Sequence, residues 1–311
     1  MENKLLVRPA PHNSSVLSTQ IMMFAMMFAL LPCAIFGVIN FGVQALFVIL
    51  ISVGSCYIFE ICFNYIRRGV GNYLDFSSVV TGLIIAMILP VSVPLYIPVI
   101  AAFLAIVIFK GCFGGLGRNI VNPAAAARMV LGFIFAGLSL KMFSGTALDG
   151  NVASPLYYFM NGDYASITLR SMFFGTSTGA IGTVSIICIL IAGIVLMCVR
   201  VIDFVIPISS VLTFVIATWI FKGPIAILPF LFTGSFMFVS MFMLPEPTTS
   251  PNTIWGKLVY GLLFGFIAGM FRVNFILGES SVFIALIIAN LIAPLLDKIF
   301  APRPLLKERR G

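Results

Sequence analysis

Charge is scarce in this sequence. Only 9% of its 311 residues are charged while 61% are hydrophobic, and the mean hydropathy is +1.15. Soluble domains carry about 25% charged residues and roughly 45–50% apolar ones, so that class is excluded. Histidine is nearly absent as well. His12 is the single one, which removes a histidine-based metal or haem site and any His–Asp–Ser set. The six cysteines (Cys33, Cys56, Cys62, Cys112, Cys188 and Cys198) include no CxxC pair. Their spacing fits neither a zinc knuckle nor an iron–sulfur motif, and most read as small buried hydrophobes. No carboxylate has to stand midway along a regular apolar helix. Glu60 is the deepest, and the sequence puts it within reach of Arg67. A carboxylate relay through the spans is therefore not expected, and an ion would use backbone carbonyls, hydroxyls and broken segments. The formal charge of +8 comes from Lys and Arg at span ends, the pattern of cytoplasmic loops, and not from a nucleic-acid-binding face.

What is abundant is apolar runs. A helical span needs about 20 apolar residues, and about ten can be placed. The first two cover about 20–38 and 43–61, and a third opens at Asp75 and runs to about residue 90. The next two are 98–109 and 124–141, followed by 183–198, 203–222, 225–244, 255–270 and 280–296. The expected organisation is a cytoplasmic arm at 1–18, a first five-helix half at 19–142, an outward loop at 143–167, a second half at 168–296 and a basic cytoplasmic tail at 297–311. The arm has no cleavable-signal pattern, so the first apolar helix is expected to anchor the chain. An even count puts both termini on one side with Arg67, Arg68 and Arg200, and the positive-inside rule makes that side the cytoplasm. Ten spans divide into two sets of five, and an odd number per half would invert duplicated halves.

Three irregular polar segments interrupt the apolar pattern. The first is 111–123 within FKGCFGGLGRNIVNP. Gly114, Gly115 and Gly117 let backbone N–H groups approach a ligand, Arg118 can pair with a phosphate, and Asn119 and Asn122 can hold a polar ring edge. Helix crossing with a headgroup-paired Arg118 is the competing reading. The second is GTSTGAIGTVS, where Thr178, Gly179 and Gly182 precede a helix start and Thr183 and Ser185 follow; a ligand site and ordinary helix capping both remain open. The third is LPEPTTSPNT, with Glu246 between prolines and Thr248 after it, an ion-path candidate or a rigid turn. Polar backbone at these places is tolerable in a bilayer only where it is buried in protein or lines a cavity.

At these segments the chain resembles the D subunit of the Rnf electron-transport complex and its relative, the B subunit of the Na⁺-translocating NADH:quinone reductase. The resemblance rests on DFSSVVTGLIIAMILPVSVPLYIPVI, FKGCFGGLGRNIVNPAAAARMV, FFGTSTGAIGTVS, TTSPNT and GESSVFIALIIANLIAPLLD, in that order and over almost the whole length. It implies an all-α polytopic membrane protein of ten helices in two inverted five-helix repeats with broken or re-entrant segments, similar to urea transporters. It also implies FMN held through its phosphate on a threonine hydroxyl. In this chain Ser154 of DGNVASPL stands at that position; Val152 replaces the usual glycine, and the gap from Asp149 is one residue shorter. The family's Gly-Ser-Ile-Gly-Glu-Thr-Ser reads here with Ala180 and Thr183, without the glutamate.

The function so implied is a membrane subunit that carries FMN as an electron relay in a complex coupling ferredoxin:NAD electron transfer to Na⁺ or H⁺ translocation in the bacterial cytoplasmic membrane. Ser154 would be the tether, and a second flavin is left open. Arg118, Asn119, Asn122 and the loop glycines would position a flavin or shape the ion path. The partners would be other Rnf-type membrane subunits, a flavin-bearing G-type subunit and an iron–sulfur, NADH-binding subunit, with no catalysis by the chain alone. A small-solute transporter and a cofactor-less structural subunit are the alternatives.

Overall fold

The computed structural model describes residues 19–68, 76–115, 117, 119–135, 155–160, 162–164, 168–274 and 280–300, and every regular element among them is helical. The first half contains α1 (Thr19–Phe41), α2 (Val43–Arg68), α3 (Ser77–Ile88), α4 (Tyr96–Gly111) and α5 (Pro123–Ile134). Two short helices follow, α6 (Pro155–Met160) and α7 (Leu169–Phe174). The second half contains α8 (Ile186–Cys198), α9 (Val205–Lys222), the bent pair α10 (Pro224–Phe232) and α11 (Phe236–Met243), then α12 (Ile254–Asn274) and α13 (Ser280–Phe300).

Five of these helices (α1, α2, α9, α12 and α13) are long and apolar enough to cross a bilayer, and α10 with α11 makes a sixth span bent by 68°. Four shorter apolar helices, α3, α4, α5 and α8, complete the set among the described residues. Each of the ten expected apolar segments contains helix. The third to sixth are shorter than a simple span and the eighth is bent. At 1.5 Å per residue the 12 residues of α3 reach about 18 Å, short of a hydrocarbon core of about 30 Å. Its end must therefore find partners inside the protein. The carbonyls of Met87 and Leu89 accept the N–H groups of Gly182 (2.9 Å) and Ile181 (3.0 Å), and Pro90 and Ala180 form an antiparallel bridge. The second irregular segment is thus the cap of a half-length helix.

The second half is held by an approach that only glycine permits. Gly261, Gly265 and Gly269 recur every fourth residue on α12 and face Ser209, Ser210 and Ala217 of α9. A Cβ at Gly265 would lie 2.1 Å from the Ser210 carbonyl oxygen. This small-residue stripe lets two backbones pack where lipid offers no hydrophobic drive. The large apolar side chains left outside, among them Ile39, Ile66, Trp219, Ile225 and Trp255, suit a lipid-facing surface.

Two features sharpen the expectations. Glu60 pairs with Lys110, while Arg67 donates to the carbonyl of Gly111 at 3.2 Å. The reason is helix phase: Glu60 faces α4 across the α2 packing surface, which a charge count along the chain does not register. The last helix also continues through Asp297 and Lys298 to Phe300, into the first residues of the basic stretch. Residues 1–18 and 301–311, and most of 136–167, lie outside the described residues.

Candidate functional site

Both halves end a broken apolar stretch in a wide turn of helix. The last part of α4, Leu104–Gly111, and of α11, Val239–Met243, is π-helical. Such turns are uncommon and concentrate at functional sites. Each leads directly into an irregular segment, 112–122 after α4 and 244–253 after α11. These two segments come together. Between them lies a cavity of about 480 Å³, its polar side formed by Ser77, Lys110, Asn119, Asn122 and Glu246 and its apolar side by Met22, Met23, Met26, Ile84 and Phe242.

Asn122 is the centre of the polar side. As the N-cap of α5 its Oδ1 accepts the N–H of Ala125 at 3.0 Å, with Pro123 at the first helical position. Its Nδ2 donates to Glu246 Oε2 at 2.7 Å. With the Asn290 amide oriented so that both ends are satisfied, its oxygen accepts the Asn122 backbone N–H at 2.9 Å and its nitrogen donates to the Tyr260 hydroxyl at 2.6 Å. Tyr260 in turn donates to the carbonyl of Leu244 at 3.4 Å. The chain of contacts runs from the first half into α12, α13 and the 244–253 segment. Asp297 holds that segment from below, accepting the N–H of Asn252 at 2.8 Å and of Thr253 at 3.3 Å.

Burial pushes the Glu246 carboxyl above the usual carboxylate range, opposed by the neighbouring Thr248 hydroxyl, the hydrogen bond from Asn122 and the charge of Lys110. Lys110 is itself 3% exposed, ion-paired with Glu60 and 2.5 Å from the Ser77 hydroxyl. Asn119 is 7% exposed, and its Oδ1 has no hydrogen-bond partner. The cavity therefore offers one buried acceptor, one carboxylate and an ammonium already engaged.

The sequence candidates divide between several places. Asn119, Asn122, Gly117, Glu246 and Thr248 line the cavity. Gly114 and Gly115 border a separate void of about 20 Å³ beside Glu60 and Arg67. Their N–H groups bond back to Gly111 and Lys110, ending α4 and leaving no amide for a ligand. Thr178, Gly179, Gly182, Thr183 and Ser185 belong to the cap of α3 and the start of α8 and do not line the cavity. Gly182 is pressed against Met87, and Thr183 donates to Ala180 at 3.3 Å. Arg118 and Ser154 lie outside the described residues; Ser154 directly precedes α6, which packs on α10. Sequence reasoning missed Lys110, Tyr260 and Asn290 as parts of the site. The available signal was a lysine and an asparagine inside apolar helices, both expensive there.

Among the described residues no group of three or more His, Cys, Asp or Glu is placed to hold a metal ion. Flavin is the group that the resemblance implies. A flavin ring edge alternates carbonyl oxygens with an N–H, which fits the open Asn119 acceptor beside the amide donors. A phosphate does not fit next to Glu246, since the cation that lines the cavity among the described residues, Lys110, is committed to Glu60.

Comparison with known proteins places nearly the whole length in one family. Residues 6–305 match the NQR2, RnfD, RnfE family. The D subunit of the proton-translocating ferredoxin:NAD(+) oxidoreductase complex of Clostridium ljungdahlii is 30% identical over 322 aligned residues, covering 97% of this chain and 96% of the relative. The D subunit of the Na(+)-translocating ferredoxin:NAD(+) oxidoreductase complex of Acetobacterium woodii is also 30% identical, over 97% and 95% of the two chains. The B subunit of the Na(+)-translocating NADH-quinone reductase of Klebsiella pneumoniae matches at 30% over 76% of this chain and 62% of its own length. The chain belongs to the NQR2, RnfD, RnfE family, as a polytopic membrane subunit of the Rnf/Nqr type.

Proposed function

We propose that this protein is the D-type membrane subunit of an Rnf-type complex that couples electron transfer between ferredoxin and NAD to movement of Na⁺ or H⁺, and that it carries flavin as a relay. The observation that carries this reading is a cavity of about 480 Å³ with an unpartnered Asn119 Oδ1 in its polar wall, built from segments on which the family resemblance rests. Asn119 and Asn122 would hold a non-covalent flavin there, with Glu246 and Met26 lining it. Bound flavin would supply one-electron chemistry. FMN would be tethered separately on Ser154, since among the described residues the cavity offers no uncommitted cation for its phosphate. The ten helices would form two inverted repeats, each with a helix break followed by a π-helical turn, and both termini would be cytoplasmic. Ferredoxin and NAD sites would lie on partner subunits with iron–sulfur and flavin groups.

The test is flavin fluorescence of the denatured polypeptide on a gel, with mass analysis of the peptide holding Ser154. A mass increase matching FMN, absent in Ser154→Ala, is the expected result. Native complex with an unmodified peptide would overturn the tether. Complex lacking both extractable flavin and the modified Ser154 peptide would overturn the relay and favour a structural subunit or a solute pathway.

A further inference from the structure

Each half of the chain breaks a helix inside the apolar layer, and each break presents backbone carbonyls. In the first half, α3 stops at Ile88. The carbonyls of Met87 and Leu89 are taken by the 181–182 backbone, and the carbonyl between them, Ile88, accepts Nε of Arg128 at 3.4 Å. In the second half, α10 stops at Phe232 and Thr233 follows in an extended conformation. The carbonyl of Thr233 accepts Nη2 of Arg272 at 2.7 Å. The two arginines come from α5 and α12, and they are 3% and 0% exposed. Arg128 also lies over the ring of Phe283, 5.5 Å from its centroid.

A helix C-terminus carries partial negative charge and orphan carbonyls, so it attracts cations. In transport folds the C-terminal ends of broken helices and the unwound carbonyls beside them coordinate Na⁺ or a proton carrier. Here a guanidinium stands at each of the two positions. Arginine keeps its charge at any accessible pH, and its attachment to a packed helix gives it an effective concentration that no free ion matches. We infer that Arg128 and Arg272 are tethered cations that fill the cation sites made by the two helix breaks and so close these breaks to the translocated ion. The route of that ion then avoids the 175–185 segment, including Thr183 and Ser185. This inference rests on the ion-translocating reading above only for the identity of the ion.

The experiment uses the purified whole complex in sealed proteoliposomes and follows passive decay of an imposed Na⁺ or proton gradient, without electron donor. The readout is thus independent of flavin content and turnover. Arg272→Gln keeps a polar side chain on α12 but removes the charge. It is expected to leak several-fold faster than the parent, and guanidinium ion in the buffer is expected to slow that leak selectively over tetramethylammonium. Arg272→Lys keeps a tethered cation and is expected to hold the gradient. An assembled Arg272→Gln complex as tight as the parent overturns the inference. Should Arg272→Gln fail to assemble, Arg272→Lys decides: a tight complex supports the inference, and a leaky or unassembled one overturns it.

Discussion

Asn122 and Glu246 are 124 residues apart and meet through a 2.7 Å hydrogen bond from Nδ2 to Oε2. The same asparagine caps α5 through Oδ1 and, through its backbone N–H, engages Asn290. One residue thus joins the glycine-rich segment of the first half to the loop and the last two helices of the second.

Asn122→Ala removes an N-cap, worth about 1 kcal/mol, and the donor to a buried carboxylate, worth about 1.5–3 kcal/mol. The purified complex should denature at a lower temperature, with any non-covalent flavin released first. Asn122→Asp should keep the cap yet place two carboxyl groups together, and should fall below Asn122→Ala above neutral pH. Thermal scans of the three forms at two pH values decide.

Glu246 carries a pH signature. Its carboxyl is raised above the ordinary value by burial, so the folded form holds its proton more tightly than the unfolded form does. The associated stability is fully present below the ordinary carboxylate pKa and is lost as pH rises through the raised folded value. Glu246→Gln mimics the protonated state and should gain on the parent as pH increases across that window. Parallel melting-temperature profiles for the two proteins would count against this.

In the Lys110–Glu60 pair the lysine is buried and the glutamate partly buried, with side-chain exposures of 4% and 15%. Lys110→Met strands the Glu60 charge and should cost about 3–5 kcal/mol. The double variant Glu60→Gln/Lys110→Met should recover most of that loss. A double-variant cycle on the denaturation of the complex measures the coupling, and additive effects would show that the two side chains do not depend on each other.

Gly265 tests the α9–α12 contact. Gly265→Ala brings a methyl group to within 2.1 Å of the Ser210 carbonyl oxygen and should cost about 1–3 kcal/mol through overpacking. Gly265→Leu should abolish assembly of the complex. The contrast is Gly54, around which a Cβ would meet nothing within 4 Å; Gly54→Ala should leave the melting temperature unchanged or slightly raised.

Much of the fold was legible because hydrophobic run length is a local property. Each expected apolar stretch holds a helix, and the fifth, expected from about residue 124, begins at Pro123. The polar segments were also visible as interruptions, since a bilayer makes such backbone conspicuous. Their grouping was not visible. The 112–122 and 244–253 segments share a cavity, whereas 175–185 caps α3 at another place.

The sequence by itself determined that this is a multi-pass membrane protein, where its helices lie, and which residues are too polar for their surroundings. Tertiary structure alone decided which of those residues meet. Lys110 could have paired with any nearby carboxylate, and the phase of α2 against α4 made it Glu60. Tyr260 and Asn290 look like isolated polar residues within apolar helices until packing brings them to Asn122. The physical reason is that burial makes nearly every polar group find a partner within about 3 Å. Which partner lies within that distance depends on helix rotation and crossing, quantities set by contacts distant along the chain.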